Sequence, residues 1–280
     1  MRTRTLAVLV VVLVGLLATS AWAQFPDARV MGMGNARVGV ANGASAFADN
    51  PAGLPFVNTF GMDLSLWPVN ASANMMVNSD DDSFSLLGSA HNPERTMGAG
   101  AGFWRMDSGN WEITNLGVGV GAELGAAGLT GGLSVVYQDR DYSGPPPTPT
   151  DVDDESATVN IGLMKRFEGP LNAWRFGLLL NDVTDEAPGD ITIDLGASVQ
   201  LPVGVLVAAD LVDITDEFDT DLNVGAEWLV PMTDITVRAG FSDDDLTLGA
   251  GYTWMNWQVN GAWMDSDSDD EAVVGVVGCF

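Results

Sequence analysis

Cysteine and histidine are nearly absent from this chain of 280 residues: Cys279 and His91 are the only examples. One cysteine excludes an internal disulfide framework. Neither paired Cys-x-x-Cys nor His-x-x-x-His spacing occurs, so no metal site of that kind is expected. A hydrolase of triad type needs a histidine beside its serine. His91 falls in a predicted turn, and no phosphate-binding loop is present, so neither an enzyme nor a cofactor is expected. Basic residues are scarce as well, 11 against 38 acidic ones, for a formal charge of −27. Nucleic acid and anionic lipid surfaces are poor partners for such a chain. Also missing, beyond the first 17 residues, is any run of about 18 apolar residues that could cross a membrane as a helix.

What is present begins with Arg2 and Arg4 before an apolar run, Leu6 to Leu17, and a small-x-small pattern, Ala21-Trp22-Ala23. This reads as a leader over 1–23, cleaved near Ala23 into a non-cytoplasmic compartment. Its removal leaves 11 − 2 = 9 basic residues and a net charge of 9 − 38 = −29. So much acid beside 46% hydrophobic residues, 33 glycines and nine tryptophans means that acid and apolar framework are segregated.

From Thr59 onward the pattern has period two. Leu246, Leu248, Ala250, Tyr252 and Trp254 alternate with Thr247, Gly249, Gly251 and Thr253. Ile235, Val237, Ala239 and Phe241 alternate with Thr236, Arg238 and Gly240 in the same way. A soluble sandwich and a membrane barrel both produce such alternation. Segment lengths near the roughly 9 to 11 residues of a tilted spanning strand favour the barrel. So do aromatics toward segment ends, among them Trp104, Trp111, Tyr137, Trp174, Trp228, Trp254 and Trp263, which suit interfacial girdles. About fourteen strands are expected, the first over 59–68 and the last over 271–280. Alternate connections carry acid, as in Asp80-Asp81-Asp82, Asp243-Asp244-Asp245 and Asp265 to Asp270; the others are short and nearly neutral, as in Leu201-Pro202 and Pro231-Met232. That is the sidedness of an outer-membrane barrel, long loops outside and tight turns in the periplasm. The fold class expected is therefore all-β, a transmembrane antiparallel barrel over 58–280.

Residues 24–57 do not fit this pattern. Gly32, Gly34, Gly39 and Gly43, with Ala36, Ala41, Ala44, Ala46 and Ala48, suit a chain packed where backbone approaches backbone, which reads as a plug inside the barrel. The stretch GMGNARVGVANGASAFADNPAGL resembles the N-terminal motif of FadL-type outer-membrane transporters and PorV-like outer-membrane proteins, opening on Gly32-Met33-Gly34 and closing on Asn50-Pro51-Ala52-Gly53. LNVGAEWLV and ITVRAGFSDDDLTLGAGYTW are similar to closing strands of the PorV-like group, and the terminal Phe280 resembles the signal read by barrel-assembly machinery. The FadL-type resemblance implies passage of small hydrophobic compounds across the bacterial outer membrane, with ligand entering at the acidic face and leaving when the plug around Asn50, Pro51 and Ala52 shifts. The PorV-like resemblance implies instead an interaction barrel for secreted proteins, related to type IX secretion, that transports nothing small.

Inward candidates follow from the alternation. Glu123, Arg140, Arg166, Arg175, Asp194, Asp210, Glu227 and Arg238 are charged; Trp104, Met164, Leu179, Leu206 and Leu229 are apolar. Glu227 and Arg238 fall on adjacent strands and can pair, either as a structural seat for the plug or as a polar constriction. The apolar set is either a greasy lumen pocket or packing between plug and wall. The acids of Asp265 to Glu271 lack the glycine and distal glutamate of a calcium loop, so no calcium site is expected.

Overall fold

A computed structural model describes residues 27–57, 68–77, 82–92, 94–108, 111–125, 128–142, 154–169, 172–184, 191–215, 220–265 and 270–280. Fourteen strands close into one antiparallel barrel: β1 (Val69–Val77), β2 (Asp82–His91), β3 (Met97–Ser108), β4 (Trp111–Glu123), β5 (Leu129–Tyr142), β6 (Asp154–Glu168), β7 (Ala173–Asn181), β8 (Thr192–Gln200), β9 (Val205–Val212), β10 (Asp221–Leu229), β11 (Ile235–Ser242), β12 (Asp245–Trp254), β13 (Trp257–Asp265) and β14 (Glu271–Cys279). Each pairs with its neighbour in sequence, and β14 pairs with β1, so no strand edge is left open to lipid.

The register separates two faces. Leu116, Val118 and Val120 of β4 point outward, while Gly117, Gly119 and Gly121 point inward. Large outward side chains such as Leu86, Phe176, Phe241 and Leu248 are solvent-exposed in the isolated chain, which suits them to hydrocarbon. Trp174, Phe176, Trp228, Trp254, Trp257 and Phe280 gather outward toward the short-turn end; Trp174 stacks on Phe176 at 6.4 Å, and Trp257 meets Phe280 edge-on at 5.4 Å. Trp104 departs from the expected girdle: it points into the barrel, 6% exposed, because it pairs with the inward Asn115 rather than with a lipid-facing residue.

Only Met255 and Asn256 separate β12 from β13, and Met255 adopts φ 54°, the left-handed geometry such two-residue hairpins require.

The first strand of the closed barrel is Val69–Val77, and the strand expected over 59–68 falls, but for Pro68, outside the described residues. Its outward residues include the small Ala71 and Ala73, which blunt the period-two signal. Residues 58–67, the expected leader, and the centres of several acidic loops, including 266–269, fall outside the described residues.

Residues 27–57 form short helical turns, Ala28–Met31, Ala46–Asp49 and Pro51–Phe56. Asp27 caps the first by accepting from the Arg29 and Val30 backbone N–H groups. This segment touches β2 through Ser89, β5 through Thr130, β9 through Asp210 and β12 through Thr247. Contacts spread around the ring in this way place it inside the barrel. Met33, Val38, Phe47, Leu54 and Val57 are fully buried there. At about 2 kcal/mol each, their burial contributes on the order of 10 kcal/mol to holding the segment.

Candidate functional site

The inner segment is held first by shape. Glycines on successive strands present bare backbone where it passes, and a Cβ at any of them would collide. On Gly98 of β3 it would sit 2.4 Å from the Leu54 carbonyl oxygen; on Gly132 of β5, 2.2 Å from the Pro51 carbonyl carbon; on Gly162 of β6, 2.1 Å from Asn50 Oδ1. On Gly177 of β7 it would lie 2.4 Å from the Val38 oxygen; on Gly225 of β10, 2.1 Å from the Met33 oxygen; on Gly240 of β11, 2.5 Å from the Gly34 nitrogen. Alternating glycine on the inner face thus gives a groove in the wall that matches the segment's own small residues.

All seven segment residues singled out by sequence take part. Gly32 approaches Gly249, Met33 lies against Gly225, and Gly34, at φ 62°, donates its N–H to Thr247 Oγ1 at 2.9 Å. Asn50 caps the Pro51–Phe56 turn by accepting from the Ala52 N–H at 3.1 Å, while its amide nitrogen donates to the Val38 oxygen at 3.2 Å. Pro51 passes between Gly121 and Gly132, the Ala52 oxygen accepts from Thr130 Oγ1 at 2.7 Å, and Gly53 lies against Ala41.

Polar contacts hold it second. Asp210 of β9, almost fully buried, accepts from the consecutive backbone N–H groups of Arg37 (2.5 Å), Val38 (2.6 Å) and Gly39 (3.4 Å). Consecutive N–H groups converging on one carboxylate make an anion nest, here filled by the wall. Glu227 and Arg238 face one another across β10 and β11 at 2.7 Å. Arg29 of the inner segment joins them, donating to both Glu227 oxygens at 2.9 and 3.2 Å and to Asn42. Arg238 also donates to Asn260 at 3.0 Å. A carboxylate between two guanidinium groups with further hydrogen bonds has the satisfied geometry that makes burial of such charges tolerable. It ties segment to wall.

The apolar candidates do not share one pocket. Trp104 and Met164 belong to one buried cluster with Phe47, Leu54, Leu87 and Val136; the Phe47 and Trp104 ring centroids are 6.4 Å apart. Leu206 packs with Met33, Ala36, Val40 and Ala208 in a separate cluster. Leu179 is buried on β7. Leu229, one residue from a turn, is 51% exposed at the lip of a cavity of about 450 Å³. That cavity, at the short-turn end, has a mixed lining, with Arg29, Glu227, Arg238, Gln258 and Asn260 beside Leu206, Leu229 and Val277.

Asp49 lies inside the barrel, with its carboxylate accepting from the Ser45 hydroxyl at 2.6 Å. Burial, with Asp27 nearby, pushes its carboxyl up to about 7, against the opposing pull of Ser45, Arg37 and Arg29. His91 ends β2, fully buried, with Nδ1 2.6 Å from the Asn92 carbonyl oxygen.

No protein-family model and no curated protein matches this sequence. Solved structures do. The chain is similar to the CymD monoaromatic hydrocarbon channel, with 12% identity, 91% of this chain and 97% of that one covered, and a TM-score of 0.60. It is also similar to the P. putida toluene transporter TodX, with 13% identity, 85% and 94% covered, and a TM-score of 0.55. The likeness is one of fold.

Sequence reasoning missed Asp210 as an anchor and Arg29 as the third member of the charged cluster. The available signal for Asp210 was a lone acid in the otherwise apolar Val205–Val212, a residue that must find donors.

Proposed function

We propose that this chain is a bacterial outer-membrane barrel of FadL-like type that passes small hydrophobic compounds, with residues 27–57 as its plug. The observation that carries this reading is the Phe47 cluster: inside the barrel the Phe47 ring of the segment packs on Trp104 of the wall, in a buried apolar cluster that also holds Leu87, Val136 and Met164, an apolar contact that a hydrophobic solute can replace. CymD and TodX, described as a hydrocarbon channel and a toluene transporter, have the same fold and support the choice of passenger.

A second reading has its own support. Of the apolar candidates Trp104, Met164, Leu179 and Leu206 are buried, and the plug meets the wall by close backbone contact on many strands, which suits a permanently closed barrel serving as a scaffold for other proteins. Uptake of a labelled monoaromatic hydrocarbon by cells carrying the barrel separates the two. Transport predicts uptake above that of cells lacking it, and faster uptake through Phe47→Ala. If neither protein exceeds the control while both are folded in the outer membrane, the scaffold reading stands.

A further inference from the structure

We propose that Arg166 and Arg175 form an oxyanion site at the short-turn end of the lumen. The two are direct partners on β6 and β7, and both point inward. Like charges directly opposite on one face of an antiparallel pair oppose pairing. Six of the nine basic residues beyond the expected leader, Arg29, Arg37, Arg140, Arg166, Arg175 and Arg238, belong to the lumen, but Glu227 serves Arg29 and Arg238. Among the described residues no such partner lies between Arg166 and Arg175.

Their surroundings leave donors open. Arg166 Nη2 reaches Glu168 Oε1 at 2.8 Å, but that carboxylate is 71% exposed and its attraction is screened. Arg166 Nε is buried with no acceptor among the described residues. Its guanidinium lies over the Phe56 ring, 5.5 Å from the centroid. Arg175 makes no hydrogen bond or ion pair among the described residues. Its partner on β8, Ser198, spends its hydroxyl hydrogen on the Gly39 oxygen. Asn50 of the inner segment packs on Gly177, two residues along β7 from Arg175. A carboxylate or phosphate seated between the two guanidinium groups accepts from both forks, satisfies the buried Nε–H and cancels the repulsion. The assignment stands independently of hydrocarbon transport.

The test uses the full chain refolded in neutral detergent. Binding of sodium benzoate and of inorganic phosphate is measured by calorimetry, and the unfolding midpoint is followed with each at constant ionic strength, chloride being the reference. One or both anions should bind and raise the midpoint beyond chloride; benzoate alone indicates a carboxylate head, phosphate alone a tetrahedral oxyanion. Arg175→Gln should weaken binding about tenfold or more, and without anion it should be more stable than the parent because the repulsion is gone. Arg140→Gln, inward near the opposite end of β5, should bind as the parent does. A midpoint no higher than in chloride, an affinity unchanged in Arg175→Gln, or a loss of stability in that variant without anion would overturn the assignment.

Discussion

Replacing Asp210 by alanine isolates the polar hold on the inner segment. Asp210 receives two short N–H bonds from Arg37 and Val38 and a long one from Gly39. A hydrogen bond to a charged group is worth about 1.5–3 kcal/mol, so the two short bonds together supply roughly 3–6 kcal/mol. Water entering the vacated space recovers part of this, so the lower bound is the better guide. About 3 kcal/mol raises the population of a released segment roughly a hundredfold. The assay is trypsin cleavage at Arg29 and Arg37 in the refolded barrel, under conditions where cleavage follows the open population. Asp210→Ala should be cut in this segment about a hundred times faster than the parent. Asp210→Asn, which keeps an amide oxygen as acceptor, should fall between them. Equal rates for all three, with each barrel folded by gel mobility, would refute the argument that this carboxylate anchors the segment.

Two further outcomes follow from shape and from charge. Gly225→Ala puts a methyl group 2.1 Å from the Met33 oxygen, backbone against backbone with no flexible side chain to yield, so it should destabilise by about 1–3 kcal/mol or displace the segment; denaturant titration and the same trypsin assay report the two effects, and a Gly225→Ala barrel indistinguishable from the parent in both would contradict the close packing. For Asp49, the folded carboxyl titrates at about 7 against an ordinary value near 4, so the folded state binds a proton there that the unfolded chain does not. Its burial penalty is therefore full above about pH 7 and relieved as pH falls toward 4. Relative to Asp49→Asn, which does not titrate, the parent should gain up to about 4 kcal/mol between pH 8 and pH 4; parallel stability profiles for the two would count against it.

The barrel was legible because its code is local. Alternation along one strand tells which face each residue takes, so Arg140, Arg166, Asp210, Glu227 and Arg238 could be assigned inward from neighbours one or two positions away. Val69–Val77 escaped because Ala71 and Ala73 bury too little to mark a lipid face. That Trp104 and Met164 cluster apart from Leu206 was hidden for a different reason: alternation gives the face of a side chain but not its height, which depends on the stagger around the closed sheet. Least legible was the Asp210 nest, since its donors are backbone N–H groups more than 170 residues away, and no side chain at Arg37, Val38 or Gly39 announces them.

Magnitudes also limit how such a lumen can open. Withdrawing the inner segment entirely forfeits about 10 kcal/mol of apolar burial, the Asp210 bonds and the Arg29 bonds to Glu227. A seven-carbon hydrocarbon, even at the ceiling of about 1.5 kcal/mol per heavy atom, returns roughly 10 kcal/mol, and ordinary ligands return far less. Expulsion by a solute of that size therefore loses to retention. Displacement of the Phe47 ring from Trp104 is cheaper: the ring gives up a few kcal/mol of contact, and a solute in the same space restores a similar amount, leaving the backbone in its glycine groove. Under the transport proposed above, opening occurs at the Phe47 cluster with the inner segment still anchored, so Asp210→Ala and Phe47→Ala should separate cleanly, the first changing protease access to the segment and the second the flux of solute.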